Sequence, residues 1–289
     1  MKNSRKDAGA QRKNKPDPRV WLGTRVRWRE TSPVILFHRD LGGEGHPPLV
    51  ILHGLLGSSR NWQTAGADLA QKFHVFALDL RNHGRSPQAA EMTYEAMAGD
   101  VLAWLDAQAL PRVTLMGHSL GGKTAMLLAC RHPERVARLI VVDIAPKNYP
   151  SSAHDAEFAA MNELDLAGLG SRAGAEQKFE ARVSDWAMRK FLATNLESGA
   201  DGRWRWLINL PVLTKALPAL EKNSLKSSDR YDGPALFVAG GKSRYVQARD
   251  YEVIRRYFAS ARIEIIAQSG HNPHMEARTA FTQLVANAS

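Results

Sequence analysis

Short β-branched runs alternating with longer helical patterns, from about residue 25 onward, predict an α/β fold with a mainly parallel sheet flanked by helices. Two further observations support that class. The apolar runs, such as Leu49–Leu52 and Leu139–Val142, have the length of buried strands and fall far short of the roughly 20 residues that span a bilayer. Between them apolar residues recur at helical spacing, as Met97, Val101, Trp104 and Leu105 do.

In chain order, strands are expected at Val34–His38, Leu49–Leu52, Val75–Leu78, Val113–Met116, Leu139–Val142, Leu236–Ala239 and Ile263–Ile266. Arg25–Arg29 is expected to pair antiparallel with the strand that follows it. Helices are expected over about 93–109, 120–131, 246–259 and 274–287. Residues 147–232 break the rhythm, with helical patterns at 155–166, 173–182, 184–195 and 204–221 and no convincing strand. An all-helical insertion between two sheet strands reads as a lid over the strands' carboxyl ends. The expected organisation is a disordered basic tail over 1–23, an α/β core from 24–146 and 233–289, and a helical lid over 147–232.

Composition narrows the class of function. A 289-residue chain with 44% hydrophobic and 24% charged residues can bury a large core and is ordinary for a soluble protein. The net charge of +10 suggests polyanions, but residues 1–20 hold seven Lys/Arg and two Asp, so half the excess sits in the tail. A dedicated nucleic-acid partner is therefore not expected. No apolar h-region precedes a cleavage site in residues 1–20, and the single cysteine, Cys130, cannot form an internal disulfide. A cytoplasmic protein, monomeric or dimeric and without a membrane span, is the expectation. No cysteine cluster or H-x-x-x-H pair has ligand spacing, so no metal or cofactor is expected. Cys130 and the tryptophans Trp186, Trp204 and Trp206 read as core residues.

The strongest chemical signal is Val113-Thr-Leu-Met-Gly117-His118-Ser119-Leu120-Gly121-Gly122. A G-x-S-x-G run after a strand and before a helix describes a turn so tight that the serine backbone is strained and its hydroxyl stands exposed at the helix N-terminus. Gly117 and Gly121 leave the room that side chains would fill. The bare pattern arises by chance in roughly one chain in ten of this length. Its place after an apolar β-run, midway through an alternating chain, makes it specific.

A serine nucleophile needs a base, and the base needs an orienting acid. In folds with this turn the chain order is Ser, Asp or Glu, then His. His271, in Ala267-Gln-Ser-Gly270-His271-Asn-Pro-His274, follows the last strand and is the expected base ahead of His274. For the acid, Ser243 stands where a G-x-x-D pattern after Ala235–Gly240 would put an aspartate. Asp143 ends the strand before the insertion and is expected instead, with Asp250 as fallback. Asp79 precedes the serine and reads as an organiser of the 79–86 loop. The backbone N–H groups of Leu55, in His53-Gly-Leu-Leu-Gly-Ser-Ser59, and of Leu120 are the expected oxyanion donors, with His53 bracing the loop.

These motifs together resemble one branch of the α/β-hydrolase fold, the YbfF-type bacterial esterases and their mitochondrial α/β-hydrolase-domain relatives. The resemblance rests on His53–Ser59, Asp79–Ser86, Gly117–Met126, Val142–Pro146, Arg189–Leu196 with Trp204–Trp206, Gly240–Ser243 and Ser269–His274, and it covers about residues 24–285. It implies a triad acid after the strand preceding the lid, which agrees with Asp143. It also implies hydrolysis of short-to-medium acyl esters, and of acyl-CoA thioesters, through a covalent acyl-enzyme. A carbon–carbon bond hydrolase or a cofactor-free perhydrolase shares the triad, and a non-catalytic ligand-binding receptor shares the fold.

Overall fold

The computed structural model describes residues 33–150 and 152–287. The tail expected at 1–23 and the strand expected at Arg25–Arg29 lie outside the described residues. In chain order the strands are β1 (His38–Asp40), β2 (Pro48–Leu52), β3 (His74–Leu78), β4 (Val113–His118), β5 (Val136–Val142), β6 (Leu196–Ser198), β7 (Trp204–Trp206), β8 (Ala235–Gly240) and β9 (Ala261–Ile266). The helices are α1 (Gln63–Leu69), α2 (Tyr94–Ala107), α3 (Leu120–Arg131), α4 (Asp155–Asn162), α5 (Arg172–Phe179), α6 (Trp186–Ala193), α7 (Leu210–Leu220), α8 (Tyr251–Tyr257), α9 (Pro273–Glu276) and α10 (Arg278–Ala286).

Seven strands form one sheet in the order β1-β3-β2-β4-β5-β8-β9, with β1 antiparallel to β3 and every other pairing parallel. Helices cover both faces, so the central strands carry mostly apolar runs, and every residue of β4 is buried. Leu49, Ile51, Val75, Met116, Ile140 and Val142 from the sheet pack against Trp62, Leu69, Phe281 and Val285 from outside it. After β2 the chain builds outward to β3, then crosses back to place β4 on the other side of β2. Such a reversal opens a crevice beyond the carboxyl ends of the two strands, and ligands bind there in open α/β sheets. The turns that leave β2 and β4 carry Leu55 and Ser119.

The mostly parallel sheet with flanking helices matches the expected fold class, and several elements differ. The strand expected at Val34–His38 starts only at His38, because side chains intercept the backbone donors before it. Val34 N–H donates to Asp100 Oδ1 (2.8 Å) and Phe37 N–H to Ser86 Oγ (2.8 Å). The insertion is not all-helical: β6 and β7 pair antiparallel, joined across their exposed side by Arg205 and Glu197 at 2.7 Å. The turn between them uses Gly202 at φ +75°, and Pro211 then starts α7 at its N-terminus. Helix α1 was not foreseen, and the expected 274–287 helix breaks at Ala277. Trp186, expected in the core, is 59% exposed, with the Lys190 ammonium 4.1 Å over its ring. Cys130 is half-buried, and burial pushes its thiol up to about 12. Among the described residues no helix is long and apolar enough to cross a membrane.

Candidate active site

Ser119 joins β4 to α3 at φ +50° and ψ −114°, a backbone conformation that costs of order 1–3 kcal/mol for a non-glycine residue. Neighbouring backbone holds it there. Ser119 N–H donates to Val142 O (3.1 Å), Lys123 N–H to Ser119 O (3.0 Å) and Gly121 N–H to His53 O (3.1 Å). The flanking glycines are sterically required: a Cβ on Gly117 would lie 2.2 Å from Gly121 O, and one on Gly121 2.5 Å from Leu52 O. The hydroxyl is thus presented at the first turn of α3, where backbone N–H groups favour negative charge.

Asp143 leaves the end of β5 at φ +49° and is almost wholly buried. Its carboxylate is fully engaged. Gly240 N–H donates to Oδ1 (2.9 Å), while His271 Nδ1 (2.7 Å) and the Ser243 hydroxyl both donate to Oδ2. A carboxylate only accepts, so the proton of the His271 ring sits on Nδ1 and its Nε2 carries a lone pair. Tyr245 stacks on the same ring, centroids 3.8 Å apart and planes at 18°. The loop bearing His271 is fastened twice more. Its carbonyl accepts from His118 Nε2 (2.8 Å), and Glu276 accepts from Gly270 N–H (2.6 Å) and Asn272 N–H (2.9 Å). The fallback acid, Asp250, is committed elsewhere, to Lys147 Nζ (2.5 Å) and Gln247 N–H (2.9 Å).

The turn after β2 is set by two buried histidines. Leu80 N–H donates to His53 Nε2 (2.9 Å), so His53 Nδ1–H donates to Gly54 O (2.8 Å). Leu56 N–H donates to His83 Nε2 (3.3 Å), and His83 Nδ1–H donates to Arg81 O (3.0 Å). Burial pulls His53 below the usual histidine range and His83 down to about 3, so both stay neutral and hold one tautomer. Asp79 organises the neighbouring loop, accepting from Ser59 N–H (2.6 Å) and Arg85 N–H (2.8 Å). With Leu56 N–H and Gly121 N–H committed, the N–H groups of Leu55 and Leu120 donate no hydrogen bond among the described residues.

Two cavities meet at Ser119. The larger, about 500 Å³, is lined by His271 and His118 from the core and by Met188 and Phe191 from α6, among others. The smaller, about 30 Å³, is lined by Leu120, Tyr94, Lys123, Ile144, Leu217 and Leu220, among others. Leu55, Ser119, His154 and Tyr245 border both. His274, the alternative base, is buried and stacks on Trp62 at 4.0 Å. Burial pulls it down to about 3.

The structure therefore joins Asp143 to His271 and sets His271 and Ser119 on one cavity wall. The Ser243 hydroxyl on Asp143, the Tyr245 ring on His271 and the His118 tether went unread in the sequence. Ser243 carries a signal, since it occupies the turn where a G-x-x-D pattern would put an aspartate. Tyr245 had none, because stacking across the site leaves no spacing in the chain.

Comparison with known proteins agrees with this architecture. The family model for the alpha/beta hydrolase fold matches residues 47–278. The sn-1-specific diacylglycerol lipase ABHD11 of Xenopus tropicalis is 37% identical over 274 residues, covering 92% of this chain and 85% of that protein. Esterase YbfF of Escherichia coli is 36% identical, covering 79% of this chain and 87% of that protein. A solved marine microorganism esterase superposes with a TM-score of 0.85 at 35% identity, covering 89% of this chain and all of that one. The chain belongs to the α/β-hydrolase fold family, and its relatives there are esterases and lipases.

Proposed function

We propose that the protein is a serine hydrolase that cleaves carboxylic esters, or thioesters by the same chemistry, through an acyl-enzyme on Ser119. The observation that carries this reading is the strained Ser119 sharing a cavity with an imidazole whose Nδ1–H is locked by buried Asp143. That lock leaves Nε2 as the free base. His271 Nε2 takes the Ser119 proton as Oγ attacks the carbonyl carbon. The resulting oxyanion accepts from the N–H groups of Leu55 and Leu120, whose loss one at a time costs on the order of 3 kcal/mol in such sites. His271 then protonates the departing oxygen or sulfur, water enters, and the same imidazole drives deacylation. Asp143 stabilises the imidazolium throughout.

The 147–232 segment acts as a lid in this reading, since His154, Glu157, Met188 and Phe191 help wall the larger cavity. The test is turnover of 1-naphthyl butyrate by Ser119→Ala. Loss of turnover on the order of 10⁶-fold, with the fold intact by circular dichroism, is expected. Retained turnover places the nucleophile elsewhere.

A further inference from the structure

A nucleophile between two unequal cavities leaves open which half of the ester enters which cavity. The imidazole answers it. His271 must reach the leaving oxygen to protonate it, and His271 lines the larger cavity and not the smaller. Leu120, whose N–H faces the carbonyl oxygen in the proposed reaction, lines the smaller one. The acyl chain therefore points away from His271, toward Tyr94, Lys123, Leu217 and Leu220.

That end is the smaller of the two. Its volume of about 30 Å³ holds about two waters at roughly 10–15 Å³ each. Its floor is a clamp between α3 and the end of α7. Lys123 Nζ donates to the carbonyls of Leu220 (3.2 Å), Glu221 (3.1 Å) and Lys222 (2.7 Å), and the Tyr94 hydroxyl donates to the Leu220 carbonyl as well. Burial pulls the Lys123 amine down to about 7, yet three carbonyl acceptors match the three donors of an ammonium. A long acyl chain would have to break this clamp or displace Leu217. The larger cavity differs in charge. Glu157, Asp185 and Glu276 line it, and among the described residues no Lys or Arg does. Asp185 and Glu276 are fixed by backbone N–H groups, at Met188 and at Gly270 and Asn272.

We infer that the enzyme is a short-acyl esterase of bulky alcohols: the smaller cavity takes acyl chains of about two to four carbons, and the larger takes an uncharged or cationic leaving group in preference to a polyanionic one such as coenzyme A. This rests on the acyl-enzyme reading of Ser119.

The experiment is kcat/KM on two series. One holds the alcohol at 1-naphthol and varies the acyl group through acetate, butyrate, octanoate and decanoate. The other holds butyryl and compares its N-acetylcysteamine thioester with butyryl-CoA at low ionic strength. Octanoate is expected roughly tenfold or more below butyrate, and butyryl-CoA below the uncharged thioester, the gap closing as salt is added. Leu217→Ala is expected to move the acyl optimum toward octanoate. If that variant does not fold, the wild-type series decides alone. Octanoate matching or exceeding butyrate, a Leu217→Ala profile that does not move, or coenzyme A as the better leaving group overturns the inference. Failure of every ester together with an unlabelled Ser119 would instead remove the reading beneath it.

Discussion

The carboxyl edge of the sheet and the inserted 147–232 segment are held by different physics. At the sheet edge, Ser119, Asp143, His53 and His83 are buried, and each is fixed by hydrogen bonds to backbone or to another buried group. In the insertion several ion pairs are exposed, as between Arg182 and Glu163 (2.7 Å) and between Arg205 and Glu197 (2.7 Å). Specific polar contacts tie it to the core, Lys147 Nζ to Asp250 (2.5 Å) and the Tyr149 hydroxyl to Tyr245 O (2.8 Å) among them. Asn195 Nδ2 donates to Leu56 O (2.9 Å), Asn209 N–H to Asn82 O (2.9 Å), and Lys123 grips the end of α7. Buried partners cost several kcal/mol to break, whereas exposed pairs contribute little. In the proposed reaction the reacting groups are set by the rigid region, and the insertion helps shape the space offered to substrate.

Substitutions can sharpen that contrast. After loss of Ser119 itself, the largest effect is expected at Asp143→Asn, which leaves shape but removes the acceptor that fixes the His271 tautomer. Turnover should fall about 10⁴-fold with little change in thermal midpoint. Asp100→Asn should act on stability instead. Asp100 holds Arg81 through two 2.6 Å contacts in a fully buried pair, and removing the carboxylate strands the guanidinium at a cost of about 3–5 kcal/mol, read as a lower urea midpoint.

Acid should loosen the same region. Burial holds His83 and His274 each down to about 3, so between about pH 6.5 and 3 the unfolded chain binds protons that the folded chain refuses. Stability then rises with pH across that window and is lost on acidification through it, by several kcal/mol in total. A urea midpoint that does not fall between pH 7 and pH 4 would contradict the buried neutral histidines. Ser243→Ala removes one donor from Asp143 while leaving His271 and Gly240 in place, so turnover should drop about tenfold, between the wild type and Asp143→Asn. Arg182→Ala, on the exposed face of the insertion, should shift neither the midpoint nor turnover measurably.

The sequence made the rigid region legible and the insertion much less so. Mostly apolar runs buried on both faces mark β2, β4, β5 and β8, interrupted only by Thr114, His118 and Arg138. Gly117 and Gly121 mark the turn because no other residue fits. The contact between Asp143 and His271 follows from each ending a strand or its loop at the same edge of one parallel sheet. In the insertion, Trp204-Arg-Trp206 continues the helical pattern of its neighbours, and only its pairing with Leu196–Ser198 turns it into a strand. Helix α1 is hidden by its small and polar residues, which carry a weak apolar stripe. Tertiary partners decided these elements, and a single chain does not display its partners.

In the proposed reaction the hydroxyl of Ser119 is the nucleophile that becomes covalently acylated. Intact-protein and peptide mass spectrometry after treatment with a fluorophosphonate tests it most directly. One adduct per chain, located on the peptide containing Ser119 and lost in both Ser119→Ala and His271→Ala, is the predicted result. An adduct on another residue, or full labelling of Ser119→Ala, would contradict it.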